Sequence, residues 1–436
     1  MFKQFMCGLE RYAQGFPDVR KGGNHQLYRV GDACLSAFGV FFTQSPSFLA
    51  YQREMQVRQG RDNAQSLFGV RAIPSDNEIR NLLDPVAPSY VGGLFWETFA
   101  ALQTEGLLAE HHGVGGQWLC ALDGVQYFSS DAIHCEHCTR RQTGNKIRYT
   151  HSVIAPVLVA PGHDYVISLE PEFITPQDGA DKQDSEQAAM QRWIDRHAHR
   201  FAPGSLTVLT DDLHSRQPSC EWLRAHHCHF ILVCLPQSHP FLYEQVAELT
   251  RLNLVNEIVT KHWNGRYRER WTYHFVNDVL LRDSADALAV NWCEIIITRD
   301  DAQDGDQATL YHNTFITDHH LSEQTVTAIV ASGRARWKTE NENHNTLKQH
   351  GYHLEHNFGH GQQHLATLLL SLNLLAFLLH TALSLTDATY QQLRHALGAR
   401  KTFFDDVRTL TRYIYFESWT ALLAFMAHGL ELDRSP

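Results

Sequence analysis

The chain has 436 residues, more than one ordinary core holds and enough for two or three domains. A hydrophobic share of 43% beside 19% charged residues excludes a disordered or collagen-like chain. The net charge of −11 weighs against nucleic acid as a partner only mildly, because a DNA footprint is local and an acidic active site adds negative charge elsewhere.

Residues 1–112 read as helical. LYRVGDACLSAFGVFFTQ, SLFGVRAIPSDNEIRNLLD and PSYVGGLFWETFAALQTEGLL carry apolar residues at helical spacing, and Ser75 with Asp76 supplies an N-cap for NEIRNLLD. From Gln117 the period changes. QWLCALDGVQYFS reads as one strand, and RYTHSVIAPVLVAP and DYVISLEPEFI as two more, joined at Pro161, Gly162 and His163. DSEQAAMQRWIDRHAHRF then reads as a helix, SLTVLTDDL as a fourth strand, QPSCEWLRAH as a helix and HFILVCLP as a fifth strand. This is the order of an RNase H-like core, α/β (α+β) in class, whose first strand is central and whose fourth lies beside it. Between residues 240 and 330, RYRERWTYHFVNDVLLR, LAVNWCEIIIT and ATLYHNTFITD alternate like antiparallel strands and form a β-rich insertion. Helices return from Glu323. Residues 365–385 are apolar enough to raise a membrane question, but no second span accompanies them, and they read as a buried core helix with no membrane partner.

Three acids stand out. Asp123 ends the apolar run WLCAL, Asp211 ends TVLT, and Glu340 lies in RARWKTENENHNTLK, four residues after Arg336 and so on the same helical face. Taken singly, each has an ordinary explanation: a turn aspartate, a helix cap, a solvated ion pair. Jointly they are two strand-end acids and one helical acid. Carboxylates delivered from three elements suit hard divalent cations, and two such ions can clamp the attacking and leaving oxygens of a phosphodiester.

These segments resemble the catalytic motifs of DDE-class insertion-sequence transposases. The nearer likeness is to the branch with a tyrosine-arginine-glutamate-lysine signature helix preceded by a β-rich insertion. The residues that carry it are Asp123, Asp211, Arg336, Trp337, Glu340 and Lys348. The likeness covers residues 117–430, and the N-terminal part shares only its helicity. It implies residues 1–112 as a helical DNA-binding domain, 113–239 as the first part of the catalytic core, 240–330 as the insertion, and 331–436 as the glutamate helix with C-terminal helices. It further implies metal-dependent cutting of double-stranded DNA at the element's terminal inverted repeats and joining to target DNA. Asp123, Asp211 and Glu340 would be the catalytic metal ligands for two Mg²⁺ ions, with Mn²⁺ able to substitute. A homodimer in the synaptic complex and a bacterial, nucleoid-associated setting follow from the same likeness. The chain also departs from the pattern. Lys348 stands eight residues after Glu340, where the family has seven, and six after Glu342, which stays an alternate, as Asp212 does for Asp211. The signature tyrosine's position holds Gly333. These departures keep a second reading open, a catalytically inactive DNA-binding protein derived from such an enzyme.

Two basic stretches suit phosphates: Arg140, Arg141, Lys146 and Arg148, then Lys261, Arg266, Arg268 and Arg270 interleaved with Trp263, Tyr267 and Trp271. Arg336 and Lys348 join them through the resemblance. Cys135 and Cys138 form a CxxC that is able to begin a structural Zn²⁺ site, with His227, Cys228 and His229 as the nearest further ligands. The histidines of HLEHNFGHGQQH lack the spacing of a catalytic zinc site and read as support for the glutamate helix. Nine cysteines show no disulfide framework, and the first residues lack a signal-peptide pattern, so a reducing cytoplasm is the expected compartment.

Overall fold

Two sheets share one set of bent strands, and the bend sets the architecture. The computed structural model describes residues 1–20, 27–56, 61–178, 182–300 and 309–432. Its strands are β1 Trp118–Ala121, β2 Gly124–Ser130, β3 Thr139–Thr143, β4 Lys146–Ile154, β5 Val157–Val159, β6 Ile167–Ser168, β7 Glu172–Phe173, β8 Leu206–Thr210, β9 His229–Val233, β10 Asn256–Trp263, β11 Arg268–Leu280, β12 Ala289–Arg299 and β13 Thr309–Thr317. Nine form a mixed sheet in the order β10-β11-β12-β13-β9-β8-β1-β5-β6, and β2-β4-β3 form a smaller one, with β7 on β4. The protein is therefore mixed α/β.

Each stretch read above as one of the first three strands is in fact two. QWLCALDGVQYFS breaks at Leu122 and Asp123, the second stretch at Ala155 and Pro156, and the third around Pro171. Proline has no N–H for the ladder, so Pro156 and Pro171 stop pairing where they stand. The backbone bond from Ala155 N to Asp123 O, 3.2 Å, carries the hairpin across the corner. Ala121 pairs with Val157 in the large sheet, and Gly124 with Ile154 in the small one.

The core strands β1, β8 and β9 run parallel, and β5 and β13 flank them antiparallel. Nearly every residue of β1, β8 and β9 is buried, which is why these segments carry no charged residue and do not alternate between apolar and exposed polar positions. The β-rich block does not form a separate layer. It extends the same sheet through β13 on β9, and it includes β10 and the helix Pro240–Arg251, neither of which the alternation marks.

The N-terminal helices, from Phe2–Gln14 to Ser89–Thr104, pack on the C-terminal ones. Ser75 caps its helix through Glu78 N, 3.3 Å. Asn63 donates to Thr411 O and Ile414 O at 2.7 and 2.8 Å and accepts from Phe416 N. The carboxylate of Asp84 accepts from Gln362 N, Gln363 N and Leu365 N, satisfying orphan donors at the start of the helix Leu365–Thr386. That helix alone among the described residues is long and apolar enough to cross a membrane, but 89% of its most apolar window is buried inside the protein. Its surface is used in packing against Val30–Phe42 and Ser89–Thr104, at about 1.5–3 kcal/mol per buried leucine.

His197 closes the helix Lys182–His197 against Trp96 and Trp193, with ring centroids 5.0 and 5.3 Å away. Burial, reinforced by Arg200, Arg196 and His199, holds its pKa down to about 3 from the ordinary 6.5, and the nearest carboxylate, Glu170, is 3.9 Å away. The folded pKa is depressed, so the unfolded chain binds the extra proton. Stability is complete above pH 6.5 and falls as pH drops from 6.5 toward 3, by at most ~1.4 kcal/mol per pH unit for one proton. Urea midpoints measured between pH 7 and about 4.5 are expected to fall, and His197→Phe to flatten that fall by about one proton. An unaltered slope in the variant would contradict the assignment.

Candidate active site at the ends of the central strands

The β1–β8 register pairs Ala121 with Leu209, and the backbone bond from Leu122 N to Leu209 O, 3.0 Å, continues it. Asp123 and Asp211 each stand two residues past that pair on neighbouring parallel strands, at the same end of the sheet, with backbones about 4.8 Å apart. Asp211 Oδ1 accepts from Leu213 N at 3.1 Å. Asp212 is committed elsewhere. It accepts from Leu235 N at 2.7 Å and from Ser238 and Ser215, and so pins the turn after β9. The alternate aspartate thus already accepts three hydrogen bonds.

The glutamate helix reaches the same place. The helix Val326–Arg334 lies against the sheet, and a Cβ on Gly333 would stand 2.9 Å from both Ile231 and Phe315. No tyrosine fits where the signature has one. The Arg334 guanidinium sits over Trp271 and Tyr311, at 4.6 and 4.7 Å, tying the helix to the extended sheet. Lys338 donates to His163 O and ties it to the other flank.

After Trp337 the helix becomes a π-helix, Thr339–Asn345. Each π-turn holds one residue more than an α-turn. Lys348, eight residues after Glu340, therefore falls on the face that a seventh residue would occupy in an unbroken α-helix. Arg336, Glu340, His344 and Lys348 form a row at intervals of four. Arg336 Nη2 meets Glu340 Oε1 at 3.4 Å, and Lys348 Nζ meets Glu355 Oε1 at 2.8 Å. His344 Nδ1 is 3.7 Å from Asp123 Oδ2. Burial, with Lys348 and Arg336 nearby, lowers the His344 pKa to about 4, so a neutral imidazole faces this carboxylate and no ion pair forms at neutral pH. In that row Glu340 stands four residues before His344; Glu340 is exposed and Glu342 half-buried. The carboxylates are not closed into a ligand set. Among the described residues, the triad is not a group whose ligand atoms all lie within 4.8 Å of one another. Glu340, with 49% of its side chain exposed, is turned to Arg336.

A cleft of about 680 Å³ opens at Gly124, next to Asp123, and runs between β2, β3, β4 and the helix Lys182–His197. Arg140, Arg141, Lys146 and Arg148 line it, against Asp131 and Glu186. Arg148 pairs with Asp131 at 3.3 Å, and among the described residues no carboxylate pairs with the other three. A Cβ on Gly124 would meet Glu186 Oε1 at 2.4 Å, so any larger residue there requires the Glu186 side chain to move. Glu186 is a buried acid beside the site that no spacing in the sequence signals.

Arg266, Arg268 and Trp263 lie elsewhere, at the β10–β11 hairpin tip. The tip points past the same end of the sheet, five strand spacings or about 24 Å across from β1 and about 20 Å beyond the level of the acids. Trp263 and Trp337 are both strongly exposed, at 65% and 61%. Cys135 and Cys138 meet His151 and His360, not His227, Cys228 or His229. His229 pairs with Asp318 at 2.9 Å at the opposite end of the sheet, where Asp318 also accepts from Phe230 N.

No protein-family model matches the chain, and no curated protein is similar to it.

The close approach at Gly333 yields a direct expectation. Gly333→Leu overpacks Ile231 and Phe315 and costs about 1–3 kcal/mol, read as a lower urea midpoint. An unchanged midpoint would show that the helix is not seated there.

Proposed function

We propose that the chain is a DNA transposase of the DDE class, cutting element ends and joining them to target DNA. The observation that carries the reading is the placement of Asp123 and Asp211 at register-matched ends of adjacent parallel strands, with His344 of the Glu340-bearing helix 3.7 Å from Asp123. The strand order and directions of β6-β5-β1-β8-β9 are those expected of an RNase H-like core. The arginine-lined cleft that starts at Gly124 suits a phosphate backbone.

Asp123, Asp211 and Glu340 are hard oxygen donors on three elements, a set that fits two Mg²⁺ or Mn²⁺ ions once Glu340 swings from Arg336. Bound there, such ions supply Lewis acidity and lower the pKa of an attacking water. The protein's own residues do the rest. His344 packs against Asp123 and limits its rotation. Arg336 holds Glu340 until the ligand set closes. Arg140, Arg141 and Lys146 bind phosphates leading to the acids, and Trp337 offers an exposed ring for an unstacked base. The freed 3′-hydroxyl then attacks a target phosphodiester at the same carboxylates. The arm at Trp263, Arg266 and Arg268 extends the DNA track, and a second copy brings the other end.

The test is cleavage of DNA taken from either side of the coding sequence, in Mg²⁺ and Mn²⁺. Asp123→Ala, Asp211→Asn and Glu340→Gln are each expected to lower the rate at least ~10³-fold while DNA binding persists. Glu342→Gln should cut normally. Normal cleavage by Asp123→Ala would sink the proposal. Replacing Arg140, Arg141 or Lys146 with alanine should reduce the slope of log affinity against log salt by about 1 for each phosphate no longer neutralised.

The side-chain engagements favour one second reading, an inactive DNA-binding descendant, since all three acids already have protein partners. Specific binding with no nicking in either cation would select it.

A further inference from the structure

We propose that Cys135, Cys138, His151 and His360 form a structural zinc site that clamps the small sheet to the chain following the glutamate helix. Cys135 and Cys138 lie in the loop between β2 and β3, His151 is on β4, and His360 comes from the segment before the helix Leu365–Thr386. Their ligand atoms all lie within 4.8 Å of one another, and all but Cys135 are buried.

Five of the six edges match a tetrahedron, and the sixth lies within 4.8 Å. A zinc ion with Zn–S of ~2.3 Å and Zn–N of ~2.05 Å requires edges of about 3.8 Å for S···S, 3.6 Å for S···N and 3.3 Å for N···N. The structure has 3.9 Å between the two sulfurs, 3.5 and 3.3 Å from His151 Nε2 to Cys135 and Cys138, 3.3 Å from Cys138 to His360 Nε2, and 3.1 Å between the two Nε2 atoms. Hydrogen bonding alone gives no reason for two thiols and two imidazole nitrogens to converge on one point.

The surroundings fit a ligand set. His360 Nδ1 donates to Gly361 O at 2.9 Å, which fixes the tautomer with the Nε2 lone pair aimed at the sulfurs. Gly361 has φ of +70°, and its Cβ would meet Asp84 Oδ1 at 2.2 Å, so the loop carrying His360 is held against the N-terminal helices. Phe128 packs on His360 at 4.4 Å and Tyr127 stacks on His151 at 5.7 Å, which keeps solvent from the pair. Two thiolates and two imidazoles are a Cys₂His₂ set with no open position, the signature of a structural rather than a catalytic zinc. The alternative chemistry, a Cys135–Cys138 disulfide, leaves both histidines without a purpose, and all nine cysteines are unpaired here. The site joins positions 222 residues apart in the chain, from Cys138 to His360. It thereby fixes the segment that follows Glu340 against the sheet that begins at Asp123.

The test uses the full chain purified without chelators. Elemental analysis is expected to give one zinc per chain. Replacement by Co²⁺ is expected to give the intense visible bands of a tetrahedral site and a thiolate-to-cobalt charge-transfer band. Cys138→Ser and His360→Ala should each lose the metal, and His360→Cys should retain it with a stronger charge-transfer band. Metal-free protein of unchanged melting temperature overturns the proposal. So does stoichiometric zinc retained by the Cys138→Ser/His360→Ala protein, or a Cys135–Cys138 disulfide in protein kept under reducing conditions. If the variants do not fold, the wild-type cobalt spectrum decides, and octahedral or absent bands count against the site. None of these readouts depends on DNA cleavage.

Discussion

The parallel pairing of β1 with β8 is the constraint on which the rest of the molecule depends. Both strands are buried on both faces, so neither offers a charged position until the pairing ends. The first positions free of that burden are Asp123 and Asp211. Because the register is set by the buried core, the two acids are held side by side by that core. The chain then turns at Asp123 into a second sheet, and that corner makes the cleft walls. The aspartate, the sheet bend and the arginine-lined cleft are three consequences of one local event.

The third acid is positioned by a different device. Its helix is pressed to the sheet at Gly333, fastened by Arg334 between two rings on the extended strands, and held on the other side by Lys338. A π-stretch takes up one extra residue and keeps Arg336, Glu340, His344 and Lys348 on one face. Such stretches cost hydrogen-bond geometry and persist where surrounding packing holds them. Here Thr339, Asn343 and His344 are all buried within it. Behind this helix, the proposed zinc and the Asp84 cap fix where the following chain goes.

Much of this was legible in the sequence. The uncharged, mostly apolar runs before Asp123 and Asp211 mark central strands and their ends, and the Arg336–Glu340 spacing marks a shared helical face. The strand break at Asp123 was not legible, because the apolar pattern continues across the corner while the hydrogen bonds change sheet; the break opposite it had a signal in Pro156 that the apolar run outweighed. Asp211 and Asp212 are equivalent by composition, and only the turn after β9 separates them by engaging Asp212. The one-residue slip at Lys348 reads as a defect in sequence and as a π-turn in three dimensions. His151 and His360 were hidden among 28 histidines, since a Cys₂His₂ set drawn from distant segments has no local spacing. Glu186 was invisible for the same reason, being brought to Gly124 by a helix packed across the sheet.

The central claim is that Asp123, Asp211 and Glu340 form one divalent-cation site. Anomalous diffraction from crystals grown with Mn²⁺ and a DNA end tests it most directly. Manganese density is expected at Asp123, Asp211 and Glu340, the residues that would hold the ions, with Glu340 turned away from Arg336. Manganese bound away from these carboxylates, or Glu342 in Glu340's place, would contradict it.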